Sequence, residues 1–68
     1  MKALPSTKER FALALMELLE SNSFERISVG DIVGLSGLSS RTFYNHFRDK
    51  NELLAYLYRI TVEPLWYT

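Results

Sequence analysis

Residues 27–50, ISVGDIVGLSGLSSRTFYNHFRDK, constrain the fold of this chain more than any other stretch. Helical patterns over about 29–36 and about 40–47 flank Gly37, which can supply the positive φ of a sharp turn. Leu38 follows the glycine and is placed to plug the corner between the two helices. Two short helices joined by a tight glycine turn predict a helix-turn-helix unit.

Residues that cap helices stand before each predicted helix. An acidic residue follows three positions later in three cases, as in a capping box. The predicted N-caps are Ser6, Ser28, Ser39 and Asp49, and the acidic residues are Glu9, Asp31 and Glu52. The first and last helices then cover about 7–21 and about 50–63, with Pro64 expected to end or kink the last one. The pattern predicts a small all-α domain of about four helices, homeodomain-like, that contains the helix-turn-helix unit.

The third predicted helix has two different faces. Phe43 and Phe47 lie one turn apart and should be buried together. The opposite face should carry Ser40, Arg41, Tyr44, Asn45 and Arg48. An arginine can form a bidentate contact with guanine and an asparagine with adenine, so we expect this face to contact base edges in a major groove. Small serines at the N-terminal end, Ser39 and Ser40, would allow close approach to the double helix.

Composition limits the other classes of function. The 68 residues include no cysteine and one histidine, which excludes a thiolate metal site, a disulfide and a multi-histidine site. No nucleophile–base pair, metal set or phosphate loop indicates an enzyme, and no cofactor is expected. No apolar stretch approaches the roughly 18 residues of a membrane span, so we expect a soluble, cytoplasmic protein. The net charge of zero argues mildly against nucleic-acid binding, but residues 38–50 hold Arg41, Arg48 and Lys50 against Asp49 alone.

The segment TFYNHFRDKNELL resembles the T-x-Y-x-H-F-x-x-K-x-x-L-L signature of TetR-type transcriptional regulators. The preceding ISVGDIVGLSGLS resembles the I-T-x-x-D-I-A-x-x-A-G-V-S of the same family. With the first helix and Phe24, the resemblance covers almost the whole chain. It departs from the family pattern at Ser23, where glycine is usual, and at Val33 and Ser36, where alanine is usual.

The resemblance implies a DNA-binding regulator, most simply a repressor, with a role for each matching residue. Contacts with phosphates are implied for Ser28, Tyr44 and Lys50. Contacts with bases are implied for Ser40, Arg41 and Asn45, and contacts with the backbone or nearby base edges for Thr42 and His46. The family also carries a larger helical C-terminal domain that binds ligands and dimerises. The chain stops at Thr68 without it, so we expect any homodimer to be weakened.

Other interpretations stay open at this point. A small neutral helical domain could be a protein-interaction module that uses an exposed apolar C-terminal segment, Leu65, Trp66 and Tyr67. His46 could be a partly buried hydrogen-bonding residue between the third and fourth helices instead of a DNA contact. Salt separates the two classes of function, because only DNA binding should weaken steeply as salt rises.

Overall fold

The computed structural model describes the backbone of residues 5–67 and the side chains of residues 5–61. In this part of the chain the structure is all-α. Its elements are α1 (Thr7–Leu19), a short 3₁₀ turn (Phe24–Arg26), α2 (Val29–Ser36), α3 (Ser40–His46) and α4 (Lys50–Tyr67). Helix α1 packs against both α2 and α4, and α3 follows α2 across the Gly37 turn. The all-α helix-turn-helix fold expected from the sequence is confirmed.

Local capping explains where the first three helices begin. The Ser6 side chain accepts a hydrogen bond from the Glu9 N–H, and the Glu9 carboxylate accepts one from the Ser6 N–H. Ser28 and Asp31 form the same kind of capping box at α2, and Ser39 caps α3 by accepting from the Thr42 N–H at 3.1 Å. Each cap satisfies backbone donors that the first turn of a helix leaves without partners.

The N-terminal end of α4 is capped, but not by the capping box that the sequence predicts. Asp49 accepts a hydrogen bond from the Glu52 N–H at 3.0 Å, as predicted. The Glu52 carboxylate reaches back one residue further than a capping box requires and accepts from the N–H of Arg48 at 2.9 Å. Both carboxylates are therefore used to start α4.

The core is built around phenylalanines contributed by α1 and by the end of the helix-turn-helix unit. Phe11 meets Phe43 edge-on with ring centroids 5.2 Å apart and Phe47 with centroids 6.3 Å apart. Such edge-to-face pairs contribute about 0.5–1.5 kcal/mol beyond the burial of their area. The remaining buried residues are Ala12, Ala14, Leu15, Ile27, Ile32, Leu53 and Leu57, with Phe24 and Leu38 packed beside them. This cluster fixes α3 against α1.

Helix α1 is shorter than the expected 7–21, because its last turn tightens. The N–H groups of Glu20 and Ser21 bond to carbonyls three residues back. The Asn22 side chain then donates to the carbonyl of Leu18 at 3.1 Å, which completes the exit. Ser23 stands where the family usually has glycine. Its φ of −73° is a conformation that any residue can adopt, so the backbone does not require glycine here.

The ends of α3 and α4 also differ from expectation. Phe47 adopts an extended backbone with φ −134° and ψ 144°, so α3 ends at His46 and Phe47 is its C-cap. Helix α4 was expected to cover about 50–63 and to end or kink at Pro64; it does not end there and extends to Tyr67. A proline removes one hydrogen bond from a helix, and the bonds of the turns on either side can carry the helix past it.

Three large apolar residues of α1 and α2 are exposed. Leu13 and Met16 on α1 are 49% and 40% exposed, and Leu35 on α2 is 45% exposed. They lie on the outer sides of their helices, because Phe11 and Ile32 already fill the inner sides. The buried stripe of each helix is therefore narrower than its set of apolar residues.

Candidate nucleic-acid interface

Helix α3 is held by one face and presents the other. Phe43 is fully buried and Phe47 nearly so, and both pack on Phe11 of α1. Ser40, Arg41, Tyr44 and Asn45 of the same helix are all exposed. The aromatic anchors thus fix the direction of a polar helix face, which was the arrangement expected from the sequence.

The polar side chains of this face have hydrogen-bonding capacity left over. Among the described residues, the side chains of Ser40, Arg41 and Asn45 make no hydrogen bond or ion pair with one another or with the rest of the domain. Guanidinium and amide groups carry several donors, and an amide also carries an acceptor. These groups are available to a partner outside the described chain.

Tyr44 combines an anchored ring with an exposed surface. Its ring packs edge-on against Phe43 with centroids 5.2 Å apart, and the side chain remains 56% exposed. The ring contact restricts the direction of the side chain without burying its polar end. A tyrosine in this position can offer its hydroxyl to a phosphate.

Two of the predicted site residues, Ser39 and Thr42, already use their hydroxyls in the cap of α3. The two side-chain oxygens lie 2.9 Å apart and share a hydrogen bond. Ser39 also accepts from the Thr42 N–H. The primary role of both hydroxyls in the structure is to hold the start of the helix that carries Ser40 and Arg41.

His46 lies at the last residue of α3 and is exposed. Its ring is tilted against that of Phe47, with centroids 6.4 Å apart. The expectation of a partly buried, hydrogen-bonding histidine between α3 and α4 is therefore wrong. The exposed ring is available to a partner at the C-terminal end of α3.

The turn between α2 and α3 is built from a glycine and two supporting polar side chains. Gly37 has φ +77°, the left-handed conformation that the sequence predicted. The Ser36 hydroxyl donates to the carbonyl of Val33 and accepts from the N–H of Leu38, at 3.0 and 3.1 Å. Arg10 of α1 donates to the carbonyl of Ser36 at 3.2 Å. The roles of Arg10 and Ser36 were not anticipated from the sequence.

The start of α2 carries a second group of exposed polar side chains, in addition to those on α3. Ser28 accepts from the Asp31 N–H, and the Asp31 carboxylate accepts from the Ser28 N–H, both at 3.0 Å. The Ser28 N–H, and after it the Ser28 hydroxyl, lower the pKa of the Asp31 carboxyl below its ordinary value of 3.8. Ser28 is exposed, and its hydroxyl lies beside the Asp31 carboxylate at the start of α2.

Among the three residues predicted to contact phosphates, Lys50 departs most from its prediction. Its ammonium donates to the carbonyls of Phe24 and Ile27, at 2.8 and 2.7 Å, and lies 3.4 Å from that of Glu25. It also lies 4.5 Å from the centroid of the Phe24 ring. The side chain is half-buried and directed toward the connection that leads into α2.

Lys8 is a further cation close to α3 that the sequence analysis did not single out. Its ammonium lies 5.8 Å from the centroid of the Phe47 ring and 5.6 Å from that of Tyr56. An ammonium is attracted to the face of an aromatic ring, so these contacts tie the start of α1 to α4 and the end of α3. Because such contacts depend on tertiary packing, no sequence pattern could have indicated them.

The described residues contain neither a metal-binding cluster nor a membrane-spanning helix. No group of three or more histidine, cysteine, aspartate or glutamate side chains there could hold a metal ion. No helix in the described part of the chain combines the length and the apolar character needed to cross a membrane. The side chains of Leu65, Trp66 and Tyr67, on which the interaction-module alternative depends, lie outside the described side chains.

The aromatic anchoring, the Gly37 turn and the exposed polar face of α3 define a helix-turn-helix DNA-binding domain. The model of the family described as bacterial regulatory proteins, tetR family, matches residues 13–57. The chain therefore belongs to the TetR family of DNA-binding transcriptional regulators.

A curated relative supports the same assignment. The chain is 36% identical over 58 residues to the HTH-type dhaKLM operon transcriptional activator DhaS of Lactococcus lactis subsp. lactis (strain IL1403). The aligned segment covers 85% of this chain and 31% of the relative. The chain thus spans about a third of the length of this relative.

Proposed function

We propose that this domain binds double-stranded DNA sequence-specifically, with α3 in the major groove. The observation that carries the proposal is the division of α3 into a buried aromatic face and an exposed polar face without internal partners. A short helix fits the major groove and brings residues of its N-terminal half to base edges. Ser40, Arg41 and Asn45 lie on that exposed face.

Each polar residue has a role in the proposed complex. Arg41 donates to a guanine and Asn45 pairs with an adenine, while Ser40 allows close approach. Tyr44 and Ser28 contact phosphates and set the register of the domain on the double helix. His46 contacts the backbone near the C-terminal end of α3, and Ser39 and Thr42 hold the helix start that faces the groove.

The proposed biological role is transcription regulation by repression, in the cytoplasm, where the chromosome is accessible. The name of the relative states that it activates a dhaKLM operon. The direction of regulation depends on where an operator lies relative to a promoter, so a reporter gene with the operator at its natural distance from its own promoter distinguishes repression from activation. Two half-sites bound by a homodimer would give the tightest complex, and the 68-residue domain alone should bind a half-site weakly.

The proposal is tested by fluorescence anisotropy with a labelled duplex at several salt concentrations. Binding should weaken as salt rises, with log K falling linearly against log salt, because neutralised phosphates release counterions. Tyr44→Phe removes only the hydroxyl and keeps the ring on Phe43, so it should weaken binding to every duplex. Tyr58→Phe is the matched control, since Tyr58 lies on α4 and is 62% exposed. Absence of binding at low salt would refute the proposed function.

A further inference from the structure

We propose that Lys50 is a positioning residue that fixes the start of α2, and that its ammonium does not contact phosphate in the DNA complex. The proposal deepens the proposed function, since it concerns how the DNA-binding surface is held, and part of its test needs no DNA. Three backbone carbonyls surround the ammonium, with oxygens 2.7–3.4 Å from the nitrogen.

Each of the three N–H donors of the Lys50 ammonium has an acceptor inside the domain. A protonated lysine has three N–H donors, and the carbonyls of Phe24, Glu25 and Ile27 provide three acceptors. The Phe24 ring, 4.5 Å away, covers a further side of the cation. A phosphate contact would require Lys50 to give up hydrogen bonds that its half-buried position makes costly to lose.

The carbonyls belong to the connection that leads into α2. Phe24 and Glu25 lie in the 3₁₀ turn, and Ile27 is the residue after it. The Ile27 side chain is buried, and the next residue, Ser28, is the N-cap of α2. Lys50 is the first residue of α4, so its three bonds join the start of α4 to the connection before α2 across 23 to 26 residues of sequence.

Fixing the Ile27 carbonyl also fixes the exposed groups that follow it. Ser28 and the first turn of α2 are the part of this helix proposed to meet a phosphate. Without the Lys50 ammonium, the part-buried carbonyls of Phe24 and Ile27 and the exposed carbonyl of Glu25 would lose a donor, and the chain leading to Ser28 would have fewer constraints. Lys50 therefore acts on DNA binding through the position of Ser28.

The first test uses the free domain. Lys50→Met keeps the aliphatic length of the side chain and removes all three donors. We expect Lys50→Met to unfold at a lower temperature than the parent. We also expect its amide hydrogen exchange to be faster than in the parent, with a larger increase at Ser28–Asp31 than at Phe11–Leu15. Arg26→Met is the matched control, because it removes a cation from the same connection, and the side chain of Arg26 is exposed. An unchanged unfolding temperature and unchanged exchange in Lys50→Met would overturn the proposal, whether or not the domain binds DNA.

The second test uses DNA at a temperature where both proteins are folded. Loss of a phosphate contact reduces the salt slope by about 1, whereas loss of a positioning residue lowers affinity at an unchanged slope. We expect the unchanged slope for Lys50→Met. A slope reduced by about 1 would instead assign Lys50 to the phosphate backbone.

If Lys50→Met does not fold, Lys50→Arg can still separate a positioning role from a phosphate contact. Arginine keeps the charge, but its planar guanidinium does not reproduce three donors spread around one nitrogen. A positioning role predicts that Lys50→Arg remains less stable than the parent domain and binds DNA more weakly. Full recovery of both stability and affinity by arginine would contradict the proposal. If the parent domain does not bind DNA, the proposed function fails, while the exchange and stability results still decide the role of Lys50.

Discussion

The guanidinium of Arg10 donates to the backbone carbonyl of Ser36, with nitrogen and oxygen 3.2 Å apart. The first helix thereby holds the last residue of α2, immediately before the Gly37 turn. A cation near a helix C-terminus is also favourable because the final carbonyls of the helix lack intrahelical donors. The angle between α2 and α3 is thus supported from outside the helix-turn-helix unit.

Ser36→Ala should destabilise the domain more than Arg10→Met. The Ser36 hydroxyl satisfies both the Val33 carbonyl and the Leu38 N–H in a part-buried position, so we expect a loss of about 1 kcal/mol. The Arg10 bond is exposed, so we expect about 0.5 kcal/mol. Urea unfolding of both variants measures these values, with Ser21→Ala, an exposed serine after α1, as the control. Equal stability of Ser36→Ala and the parent would contradict the assigned role of the hydroxyl.

Two glycines of the same segment should respond to alanine in opposite ways. Gly37 has φ +77°, so Gly37→Ala should lower the free energy of unfolding by about 1–2 kcal/mol. Gly34 lies within α2, and a Cβ there would meet no atom within 4 Å. Gly34→Ala should therefore raise stability by about 0.5–1 kcal/mol. The pair is measured by thermal and urea unfolding, and destabilisation by both substitutions would be inconsistent with the turn geometry described.

The capping box of α2 should make stability depend on acid pH. The pKa of Asp31 is lower in the folded domain than the ordinary 3.8, so the unfolded chain binds the proton more readily. The contribution of the carboxylate is present above the ordinary value and is lost as pH falls through the folded pKa. Asp31→Asn should be less stable than the parent at pH 7, and the difference should shrink in acid.

Unfolding of the parent and Asp31→Asn between neutral and strongly acid pH measures this difference. Ser28→Ala is the informative companion, because it removes the hydroxyl and leaves the backbone N–H that lowers the pKa most. It should keep part of the pH dependence. A parent–variant difference that stays constant down to strongly acid pH would show that the Asp31 carboxylate does not stabilise α2.

Local sequence patterns were sufficient for the starts of the helices and for the turn. The N-caps Ser6, Ser28 and Ser39 and the positive φ of Gly37 follow from interactions within about four residues, and the structure has all of them. The buried positions of Phe43 and Phe47 follow from helical spacing. The expected polar face of α3 therefore followed from the sequence together with the family resemblance.

Contacts between distant residues could not be predicted in the same way. Lys50 was expected to face phosphate, but its partners lie 23 to 26 residues away, where only the folded chain brings them together. The bond from Arg10 to Ser36 likewise spans 26 residues. Leu13 and Leu35 have apolar side chains at helical spacing, and only packing decides that they stay exposed. The base, phosphate and backbone contacts proposed for α3 remain predictions.

The most direct test of the central claim is selection of bound duplexes from a random pool, followed by sequencing. It compares the parent domain with Arg41→Ala and uses Tyr58→Phe as the control. The parent and the control should enrich the same short motif, and Arg41→Ala should lose the preference at one base pair, at a cost of about 1–3 kcal/mol. If Arg41→Ala enriched the parental motif with parental affinity, Arg41 would not contact a base, and the proposed reading of DNA by α3 would be contradicted.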